Sequence, residues 1–489
     1  MKKILLLIVL GGVVYSGSLS GGFLWDDNHL IVGNEWLREP GLMQAFLEPS
    51  LPGFTGYYRP VQLLSYKLDY FIWGNNPFGY HLSNVLLHLC NAVLVFLLFS
   101  RIIPRHRHNE NAAFAGAVLF CIHPLLSETV NYLSSRSDLL FTLFSLLAFT
   151  CFLKYRTQKR GWLGLSAGFF LSALLSKEAA IVFPLVLTVY LWLFSRDRMR
   201  SLIPYFVIAV LYLAARGAAG AAPEAALPGR WAQLLMTDAC VYAHLLRLVF
   251  LPLGLHKDWF LPLVTRVCDP AFLVSLVFLM LFIFLSLKYA QARRRVLFGL
   301  LWAAVFLMPA SSLLIFSLLA VGETVSHTVV SESWAYPACA GIFFIAGDIG
   351  QKLYRLLPRK IVCGGFLAVM IALGALTIER NSIWAGDAVL FYRQILTFQP
   401  RNSVVYYNMG NEYLARGSHA EAEEAYLKAL TLNPQYLYAR NNLCNLYVRT
   451  GRFEEAVREC QRVIAQAPGL TRAYVNLENA YTAVRRRKQ

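Results

Sequence analysis

Charge is scarce in this chain. Of its 489 residues only 15% are Asp, Glu, Lys or Arg, whereas 57% are hydrophobic. A soluble globular domain has about 25% charged and roughly 45–50% apolar residues. The scarcity of charge therefore excludes an ordinary soluble protein for most of the chain, and it indicates that most of the chain lies in a membrane.

The chain also lacks the signatures of nucleotide-driven and hydrolytic enzymes. No Walker loop, Rossmann glycine pattern, HExxH or GxSxG motif occurs in a suitable context. Cysteine is sparse as well. The nine cysteines lie mostly inside apolar runs, which predicts packing residues and not a disulfide framework. For Cys444 and Cys460, in a polar tail, a disulfide stays open, although their spacing does not support one.

The charge that is present has a strong bias in sign and position. The chain has 45 Lys and Arg against 28 Asp and Glu, a formal net charge of +17. The basic residues cluster in short loops between apolar runs, which is typical of a multi-spanning membrane protein and not of a nucleic-acid-binding surface. With the N-terminus inside, all five basic loops lie on the cytoplasmic side if the chain has eleven spans.

We therefore predict eleven spans, with the N-terminus inside and the C-terminus outside. The additional run 232–253 contains Asp238, His244 and Arg247, so it is better interpreted as a re-entrant or interfacial helix. Residues 1–22 also fit a cleaved signal peptide, but the acidic motif that follows favours a retained anchor. The predicted spans are 4–20, 82–103, 111–126, 139–154, 161–175, 179–194, 201–215, 271–288, 296–318, 334–350 and 361–378.

Two regions differ from the spans. In the long outer segment 21–81, apolar and aromatic residues at 40–47 and 60–73 predict two short helices on the membrane surface. The last part of the chain is polar and repeats with a period of 34 residues, as at Pro400, Pro434 and Pro468. This period is the signature of tetratricopeptide repeats. We therefore divide the chain into a transmembrane domain, 1–380, and about two and a half repeats, 381–489.

Ionisable residues at the predicted outer boundary are the candidate site residues. Asp26 and Asp27 follow the first apolar run. A shielded carboxylate can take a proton from a hydroxyl nucleophile, although Asp also caps surface helices. Arg59 stands beside Tyr57 and Tyr58 and either binds a phosphate with its guanidinium or anchors the loop at the headgroups.

Three further groups lie at the same boundary. Lys177 and Glu178 fit a snorkelling lysine beside an acid as well as a cation that faces a lipid phosphate. Glu332 and Tyr336 enter a span from outside and are expected to line the same cavity. Four ionisable residues between two spans indicate either a site or a hairpin held by ion pairs: His123, Glu128, Arg136 and Asp138.

In chain order these motifs read WDD, YYRP, HP-x3-E-x-V, S-R-x-D, KE and E-x3-YP, and the repeats follow them. Together they resemble the transmembrane and tetratricopeptide-repeat O-mannosyltransferases, a family of C-type (GT-C) membrane glycosyltransferases. The resemblance extends over essentially the whole chain. It implies an all-α polytopic bundle followed by a short repeat superhelix. It also implies transfer of a sugar, with mannose favoured, from a polyprenyl-phosphate donor to an acceptor hydroxyl, with protein Ser/Thr favoured.

The resemblance also implies roles for the matching residues. Asp26 or Asp27 is expected to be the general base. The donor phosphate is expected to be held by Arg59, Arg136 and Lys177. The donor and sugar pocket is expected to be shaped by His123, Glu128, Asp138, Glu178, Glu332 and Tyr336. No metal cofactor is expected, because arginine and lysine can stabilise the departing phosphate.

The chain departs from the family at Ser333, where an arginine is usual, and its repeat array is short. We expect a bacterial relative in the inner membrane, with the site and the repeats in the periplasm, or in the endoplasmic reticulum lumen if the source is eukaryotic. The expected partners are a lipid-linked sugar and a protein or peptide acceptor bound by the repeats, without nucleic acid. The alternatives are a transporter or flippase, a non-catalytic scaffold, and a transferase that modifies lipid or glycan.

Overall fold

The structure, a computed structural model, describes residues 1–47, 58–102, 107–158, 160–218, 231–290, 294–311, 327–469 and 471–488. Tyr57 and residues 312–318 of the run predicted at 296–318 lie outside this set. The described chain is helical apart from one pair of short strands, so the predicted all-α class is confirmed. It forms two compact units, Met1–Ala385 and Gly386–Gln489.

The first unit is built from helices of very different length. Its two strands, β1 Trp259–Pro262 and β2 His327–Val330, pair antiparallel. Its helices are α1 Lys2–Val14, α2 Gln44–Leu47, α3 Pro60–Trp73, α4 Pro77–Ile102, α5 Arg107–Ile122, α6 Ser127–Asn131, α7 Arg136–Thr157, α8 Gly161–Ser176, α9 Phe183–Phe194, α10 Ile203–Ala218, α11 Trp231–Phe250, α12 Pro270–Ala290, α13 Arg294–Leu307, α14 Tyr336–Leu356 and α15 Arg359–Ala385.

Five helices in the described residues are long and apolar enough to cross a membrane, and they contain α4, α7, α10, α12 and α15. A sixth span results if the pair Glu110–Ile122 and Pro124–Asn131, bent by 52°, is one element. The bend coincides with Pro124, which cannot continue the hydrogen bonds of the preceding helix. The apolar helices α8 and α9, with 16 and 12 residues, are shorter than the roughly 20 residues of a straight span. The count of eleven spans therefore stays a prediction.

The ambiguous run 232–253 forms the single helix α11, which is not among the five. Its polar residues face protein. Asp238 is buried and accepts a hydrogen bond from the Ser311 hydroxyl. The rings of His244 and Trp259 lie 4.3 Å apart, and the Arg247 guanidinium lies 5.6 Å from the centre of the same indole. These contacts satisfy groups that would be costly in lipid, and the re-entrant placement stays a prediction.

Helices α5 and α14 pack with their backbones in close contact. A Cβ atom added to Gly347 would lie 2.1 Å from the carbonyl oxygen of Ala112. Only glycine permits this approach, which is a common way to pack helices within a membrane. The contact brings the start of α14, where Glu332 and Tyr336 lie, close to the chain that follows α5.

The second unit consists of antiparallel helix pairs. Its helices are α16 Ala388–Phe398, α17 Ser403–Ala415, α18 His419–Leu432, α19 Leu437–Arg449, α20 Phe453–Gln466 and α21 Thr471–Lys488. Asp387 and Asn402 cap α16 and α17 by accepting hydrogen bonds from the first backbone N–H groups. Gly417 and Gly451, 34 residues apart, both have a φ of 75° at the turn within a repeat, a conformation that favours glycine.

A disulfide joins Cys444 in α19 to Cys460 in α20, a pairing that the sequence had left open. The repeat register explains it. Cys444 and Cys460 are each 34 residues after Gly410 and Tyr426. In the preceding repeat the Tyr426 ring fills the space that a side chain at Gly410 would need. The second repeat thus closes its helix pair with a covalent bond where the first uses an aromatic ring.

Candidate functional site

The two carboxylates of the acidic pair have different environments. Trp25, with a left-handed φ of 54°, turns the backbone directly before the pair. Asp27 is buried and accepts hydrogen bonds from the N–H of Leu24 (3.1 Å) and from the N–H (2.8 Å) and hydroxyl (2.5 Å) of Ser134. Asp26 is exposed. Asp27 therefore ties the loop to the bundle, whereas Asp26 is the carboxylate that a ligand can reach.

Burial also separates the two acids electrostatically. Burial raises the pKa of Asp27 to about 7, although the hydrogen bonds from Ser134 and Leu24 oppose the rise. Protein atoms crowded around Asp26 raise its pKa as well, although the side chain is open to solvent, and the hydrogen bond from Tyr132 opposes that rise. A side chain that is both crowded and accessible lies in a recess.

Tyr132 and Lys257 form one wall of this recess. The Tyr132 hydroxyl donates to Asp26 Oδ2 at 2.7 Å. The Tyr132 side chain is buried, its ring stacks on that of Trp384 at 5.9 Å, and Lys257 Nζ lies 4.8 Å from the ring centre. The phenol ring is thus held by Trp384 and Lys257, so its hydroxyl can hold the exposed carboxylate in one orientation.

Lys257 is a buried cation between two acids. Its Nζ lies 3.4 Å from Glu128 Oε1 and donates to the Asp258 carboxylate. Burial alone would lower the pKa of Lys257, but Asp258 and Glu128 raise it above its usual range. Glu128 is fully buried and also accepts from the Ser331 hydroxyl (2.7 Å) and the Glu332 N–H (3.2 Å). Lysine therefore stays charged without exposure to water.

Glu332 and Arg380 fix the segment that carries this lysine. Glu332 Oε1 accepts from the His256 N–H (2.9 Å) and the Trp259 indole N–H (3.1 Å). Its Oε2 pairs with Arg380 at 2.7 Å, and Arg380 also donates to the Leu255 carbonyl. Both charged groups are buried. The residues before and after Lys257 in the chain are therefore both held by hydrogen bonds.

Arg380 also bears on the departure at Ser333. The Ser333 hydroxyl shares a 2.8 Å hydrogen bond with that of Ser331 and provides no positive charge. The guanidinium beside Glu332 comes instead from α15, far away in sequence. Glu332 is thus paired with an arginine although residue 333 is not one.

Two further ion pairs form a second cluster. Arg59 donates to both oxygens of Glu178 at 3.0 and 2.6 Å, a bidentate pair. Lys177 Nζ donates to both oxygens of Asp138 at 2.7 Å. Arg216, buried near the end of α10, acts electrostatically on Glu178. We refer to these five residues as the cation cluster, because three positive groups face two carboxylates.

Helix α3 links the cation cluster to the recess. Arg59 directly precedes α3. The Tyr66 hydroxyl donates to the Leu133 carbonyl (2.7 Å), and the Gln62 amide donates to the Ser134 carbonyl (2.8 Å). These carbonyls belong to the turn that binds the buried acid of the pair. The cation cluster and the recess are thus joined by one helix and one turn.

Arg136 is placed differently from the other predicted cations. It is buried, pairs with Asp69 at 2.5 Å, and donates to the Asn84 side chain (2.7 Å) and the Tyr80 carbonyl (2.8 Å). All of these partners lie on α3 and α4. In this structure Arg136 joins α7 to the helices that carry the site and offers little surface to a ligand.

His123 and Tyr336 lie in the helical core. His123 accepts from the Leu125 N–H at Nδ1 (3.2 Å) and bonds the Val249 carbonyl through Nε2 (3.0 Å), so both ring nitrogens are used. The Tyr336 hydroxyl bonds His88 Nδ1 at 2.8 Å. Both side chains are buried. Their contacts stabilise the helices around the site and leave no ring atom directed at a ligand.

The structure thus brings most predicted site residues into two adjacent clusters and adds several that sequence reasoning missed. The missed residues are Tyr132, Arg216, Lys257, Asp258 and Arg380. A signal existed for one pair, because Lys257 and Asp258 are adjacent opposite charges in a predicted outer segment. Within the described part of the chain, no three His, Cys, Asp or Glu side chains are arranged to hold a metal ion. That the reaction needs no metal stays a prediction.

Comparison with known sequences assigns both units. Residues 60–216 match the family described as dolichyl-phosphate-mannose-protein mannosyltransferase, and residues 413–480 match the tetratricopeptide repeat. The resemblance predicted from the sequence is confirmed. The second unit contains tetratricopeptide repeats, and the first, with its membrane-crossing helices, makes the chain an integral membrane protein.

The chain is also similar to proteins named as protein O-mannosyl-transferases. The chain is 25% identical over 448 residues to a protein O-mannosyl-transferase of Caenorhabditis elegans. The aligned region covers 88% of this chain and 62% of that protein. It is 28% identical over 495 residues to the protein O-mannosyl-transferase TMTC1 of Homo sapiens, covering 85% of this chain and 53% of that protein. The chain therefore spans little more than half the length of these relatives.

Among solved structures, the chain is similar to ArnT from Cupriavidus metallidurans in the apo state. The TM-score is 0.45 and the identity 16%, and the match covers 89% of this chain and 75% of that one.

Proposed function

We propose that this protein is a GT-C-type membrane glycosyltransferase. It transfers a sugar, mannose, from a polyprenyl-phosphate donor to a hydroxyl group of a protein Ser or Thr. The similarity to protein O-mannosyl-transferases supports this reaction class. The observation that carries the proposal is the accessible Asp26 carboxylate, held by Tyr132 beside a buried cation, Lys257.

In this reaction Asp26 acts as the general base. Its carboxylate takes the proton of the acceptor hydroxyl, and the hydroxyl oxygen attacks the anomeric carbon of the sugar. The bond between that carbon and the phosphate oxygen breaks, the new glycosidic bond forms with inversion, and polyprenyl phosphate leaves with both bonding electrons. Tyr132 orients the carboxylate. Asp27, which is buried and bonded to Ser134, positions the loop and does not contact the acceptor.

The cation cluster is the proposed site of the donor phosphate. The side chains of Arg59 and Lys177 are 13% and 12% exposed, so each presents an edge to a ligand while its acid partner holds it in place. Guanidinium and ammonium groups stabilise the charge that develops on the departing phosphate. Arg136 is proposed to position α3 and α4 and not to touch the phosphate, since its donors are taken by Asp69, Asn84 and Tyr80.

The disulfide of the second unit supports one side of the membrane for the repeats. Disulfides persist in oxidising compartments and are rare in the cytosol. The Cys444–Cys460 bond therefore supports a location of the repeats in the periplasm or in the endoplasmic reticulum lumen. The donor and the protein acceptor then meet on that side.

The test is sugar transfer by the purified full chain from radiolabelled polyprenyl-phosphate-mannose to an unfolded Ser/Thr-rich protein, with EDTA present. We expect Asp26→Asn to lower the rate at least a hundredfold. Asp27→Asn is expected to retain much of the rate per folded molecule. Glu35→Gln, at an exposed acid of the same loop, is the matched control and should behave as wild type.

Three outcomes would contradict the proposal in different ways. If the Asp26→Asn protein is as active as wild type, then Asp26 is not the general base. Loss of transfer with EDTA, restored by a divalent metal, removes the metal-independent mechanism. If the protein transfers sugar to lipid or glycan in membrane extract but not to protein, then the acceptor is a lipid or a glycan.

A further inference from the structure

Arg247, in the last turn of α11, is a half-buried cation without an acidic partner. Among the residues that the structure describes, no carboxylate or carbonyl group accepts a hydrogen bond from its guanidinium. Arg59, Arg136 and Arg380 are also shielded, and each of them has a carboxylate partner. A cation that lies partly inside an apolar bundle without a counter-charge is costly. This cost indicates that an anion from outside the chain completes the site.

His244 lies three residues before Arg247, on the same side of the helix. The Nε2 atom of His244 is buried, and within the described part of the chain nothing forms a hydrogen bond with it. The Arg247 guanidinium acts electrostatically on this imidazole. An imidazole N–H can donate a hydrogen bond to an anion. A donor and a positive charge that both lack protein acceptors therefore lie side by side.

Trp259 forms the wall behind both groups. Its ring lies 4.3 Å from that of His244 and 3.9 Å from that of His256, and the Arg247 guanidinium lies 5.6 Å from its centre. The indole N–H donates to Glu332, which fixes the ring. An indole ring attracts a guanidinium, but it does not accept the N–H groups at the edge of the guanidinium. Arg247 is therefore oriented and still has donors to offer.

The acids of the neighbouring segments are compensated by other cations. One oxygen of Glu332 accepts from the His256 and Trp259 N–H groups, and the other pairs with Arg380. Asp258 pairs with Lys257. The positive charge of the α11 arginine is thus left over when the described partners are assigned.

The surface around Arg247 is suited to a lipid. Phe250, Leu251 and Leu253 follow it in the chain, and their side chains are 60%, 51% and 52% exposed. Helix α12 packs on α11 and is long and apolar enough to cross a membrane, and no residue of its stretch 270–289 is buried. A site for a negative group therefore borders an apolar surface, and a membrane lipid presents the same two features.

We propose that Arg247 and His244, with Trp259 behind them, bind the phosphate group of a membrane lipid. The guanidinium fork matches two oxygens of a phosphate, and the imidazole donates to a third. The lipid chains lie along Leu251, Leu253 and the exposed side of α12. Basic pockets between membrane helices are a common way to bind lipid head groups. None of these residues belongs to the cation cluster, and binding here does not require that the protein transfers sugar.

The experiment counts bound molecules by native mass spectrometry of the purified full chain in a nonionic detergent. The probes are a short-chain phosphatidylglycerol, farnesyl phosphate and inorganic phosphate, which present a phosphate group on a phospholipid, on a polyprenyl chain and free in solution. We expect Arg247→Gln to bind the lipid phosphate about tenfold more weakly, because charge-assisted hydrogen bonds are lost. His244→Phe, which keeps a ring against Trp259, should weaken binding as well.

Arg266→Gln, at an exposed arginine between β1 and α12, is the matched control and should bind as wild type does. Binding elsewhere, including at the cation cluster, is common to both arginine variants and cancels in the comparison. Since Arg247→Gln removes no hydrogen bond to a described residue, its unfolding temperature should equal that of the control.

The probes separate the possible ligands. A difference between the arginine variants with phosphatidylglycerol or with farnesyl phosphate supports the site and names its lipid. A difference with inorganic phosphate alone overturns the lipid as the ligand. Equal binding of all three probes by Arg247→Gln and Arg266→Gln overturns the site itself. If wild type binds farnesol as tightly as farnesyl phosphate, then phosphate recognition is overturned without reference to any variant.

Discussion

Tyr132 donates a 2.7 Å hydrogen bond to Asp26 across 106 residues of chain. This bond attaches the exposed acid of the loop that follows α1 to the turn between α6 and α7. Since the Tyr132 ring is buried against Trp384 and Lys257, the bond places one carboxylate oxygen in a fixed position and leaves the other oxygen available. The position of this loop carboxylate is therefore fixed as well as that of a side chain on a helix.

Tyr132→Phe tests this relationship. A hydrogen bond to a charged group contributes about 1.5–3 kcal/mol, so we expect the rate of sugar transfer to fall about ten- to hundredfold. The bond lowers the pKa of Asp26, so its loss should also move the acidic limb of the pH–rate profile to higher pH. Tyr70→Phe in α3 is the matched control. An unchanged rate and profile would show that Tyr132 does not orient the base.

The buried acid predicts a pH dependence of stability. The pKa of Asp27 is about 7 in the folded protein, against about 3.9 in an unfolded chain. The folded state therefore binds this proton more tightly, and its contribution to stability is lost as the pH rises from about 4 to about 7. The contribution is on the order of 4 kcal/mol at most.

Thermal unfolding of wild type and Asp27→Asn between pH 5 and pH 8 measures this effect. At pH 5 wild type should retain most of this contribution, because Asp27 is still protonated in the folded protein. At pH 8 wild type should have lost several degrees relative to the neutral variant, while Glu35→Gln follows wild type throughout. The opposite trend, with wild type gaining on the variant as the pH rises, would mean that the hydrogen bonds from Ser134 and Leu24 outweigh the effect of burial on Asp27.

The Glu332–Arg380 pair predicts a long-range effect on activity. Removal of one member of a buried ion pair typically costs about 3–5 kcal/mol. We expect Arg380→Met to lower both the unfolding temperature and the transfer rate, because the segment around Lys257 loses its support. Glu332→Gln combined with Arg380→Gln should recover part of the stability, since no uncompensated charge remains. A double variant less stable than Arg380→Met would contradict the pairing.

The cation cluster predicts a defect in donor binding. Arg59→Lys keeps the positive charge but removes the planar fork that holds Glu178. We expect the KM for polyprenyl-phosphate-mannose to rise about tenfold. Arg38→Lys, at an exposed arginine of the same outer segment, should leave it unchanged. An unaltered KM in Arg59→Lys would place the phosphate elsewhere.

A pair of substitutions can replace the disulfide by the packing of the preceding repeat. A bond that closes a loop of about 15 residues contributes roughly 3 kcal/mol. We expect reduction to lower the unfolding temperature of the repeats in wild type. Cys444→Gly with Cys460→Tyr copies the Gly410 and Tyr426 pair of the preceding repeat, so it should make the repeats insensitive to reductant. Cys444→Gly alone leaves a void and should be less stable than the double variant.

The sequence predicted the features that depend on local pattern. The 34-residue period locates the repeats, because each repeat is one helical pair with its own turn glycine and proline. The predicted helix at 60–73 forms as α3, because its apolar and polar residues alternate with helical spacing. Charge at the predicted outer boundary selected Asp26, Arg59 and Lys177 as candidates, and the fold brings them into two clusters; their roles stay a prediction.

The features that could not be predicted depend on distant contacts. Adjacent Asp26 and Asp27 are equivalent in sequence and differ only because Ser134 binds one of them. In the sequence, Arg380 looks like a polar residue near the end of a helix. Its ion pair with Glu332 forms only in the folded chain, so the sequence does not indicate it. His123 was expected in the sugar pocket, but its two ring nitrogens satisfy backbone groups of the core.

Among the described residues, only Trp25 and Asp258 have a left-handed backbone without being glycine. One directly precedes Asp26 and the other directly follows Lys257, so both strained positions flank the groups proposed to do the chemistry. Such a conformation typically costs about 1–3 kcal/mol. A protein optimised only for thermostability would place glycine at both positions. These two residues thus mark where a stabilising redesign of this protein should leave the chain unchanged.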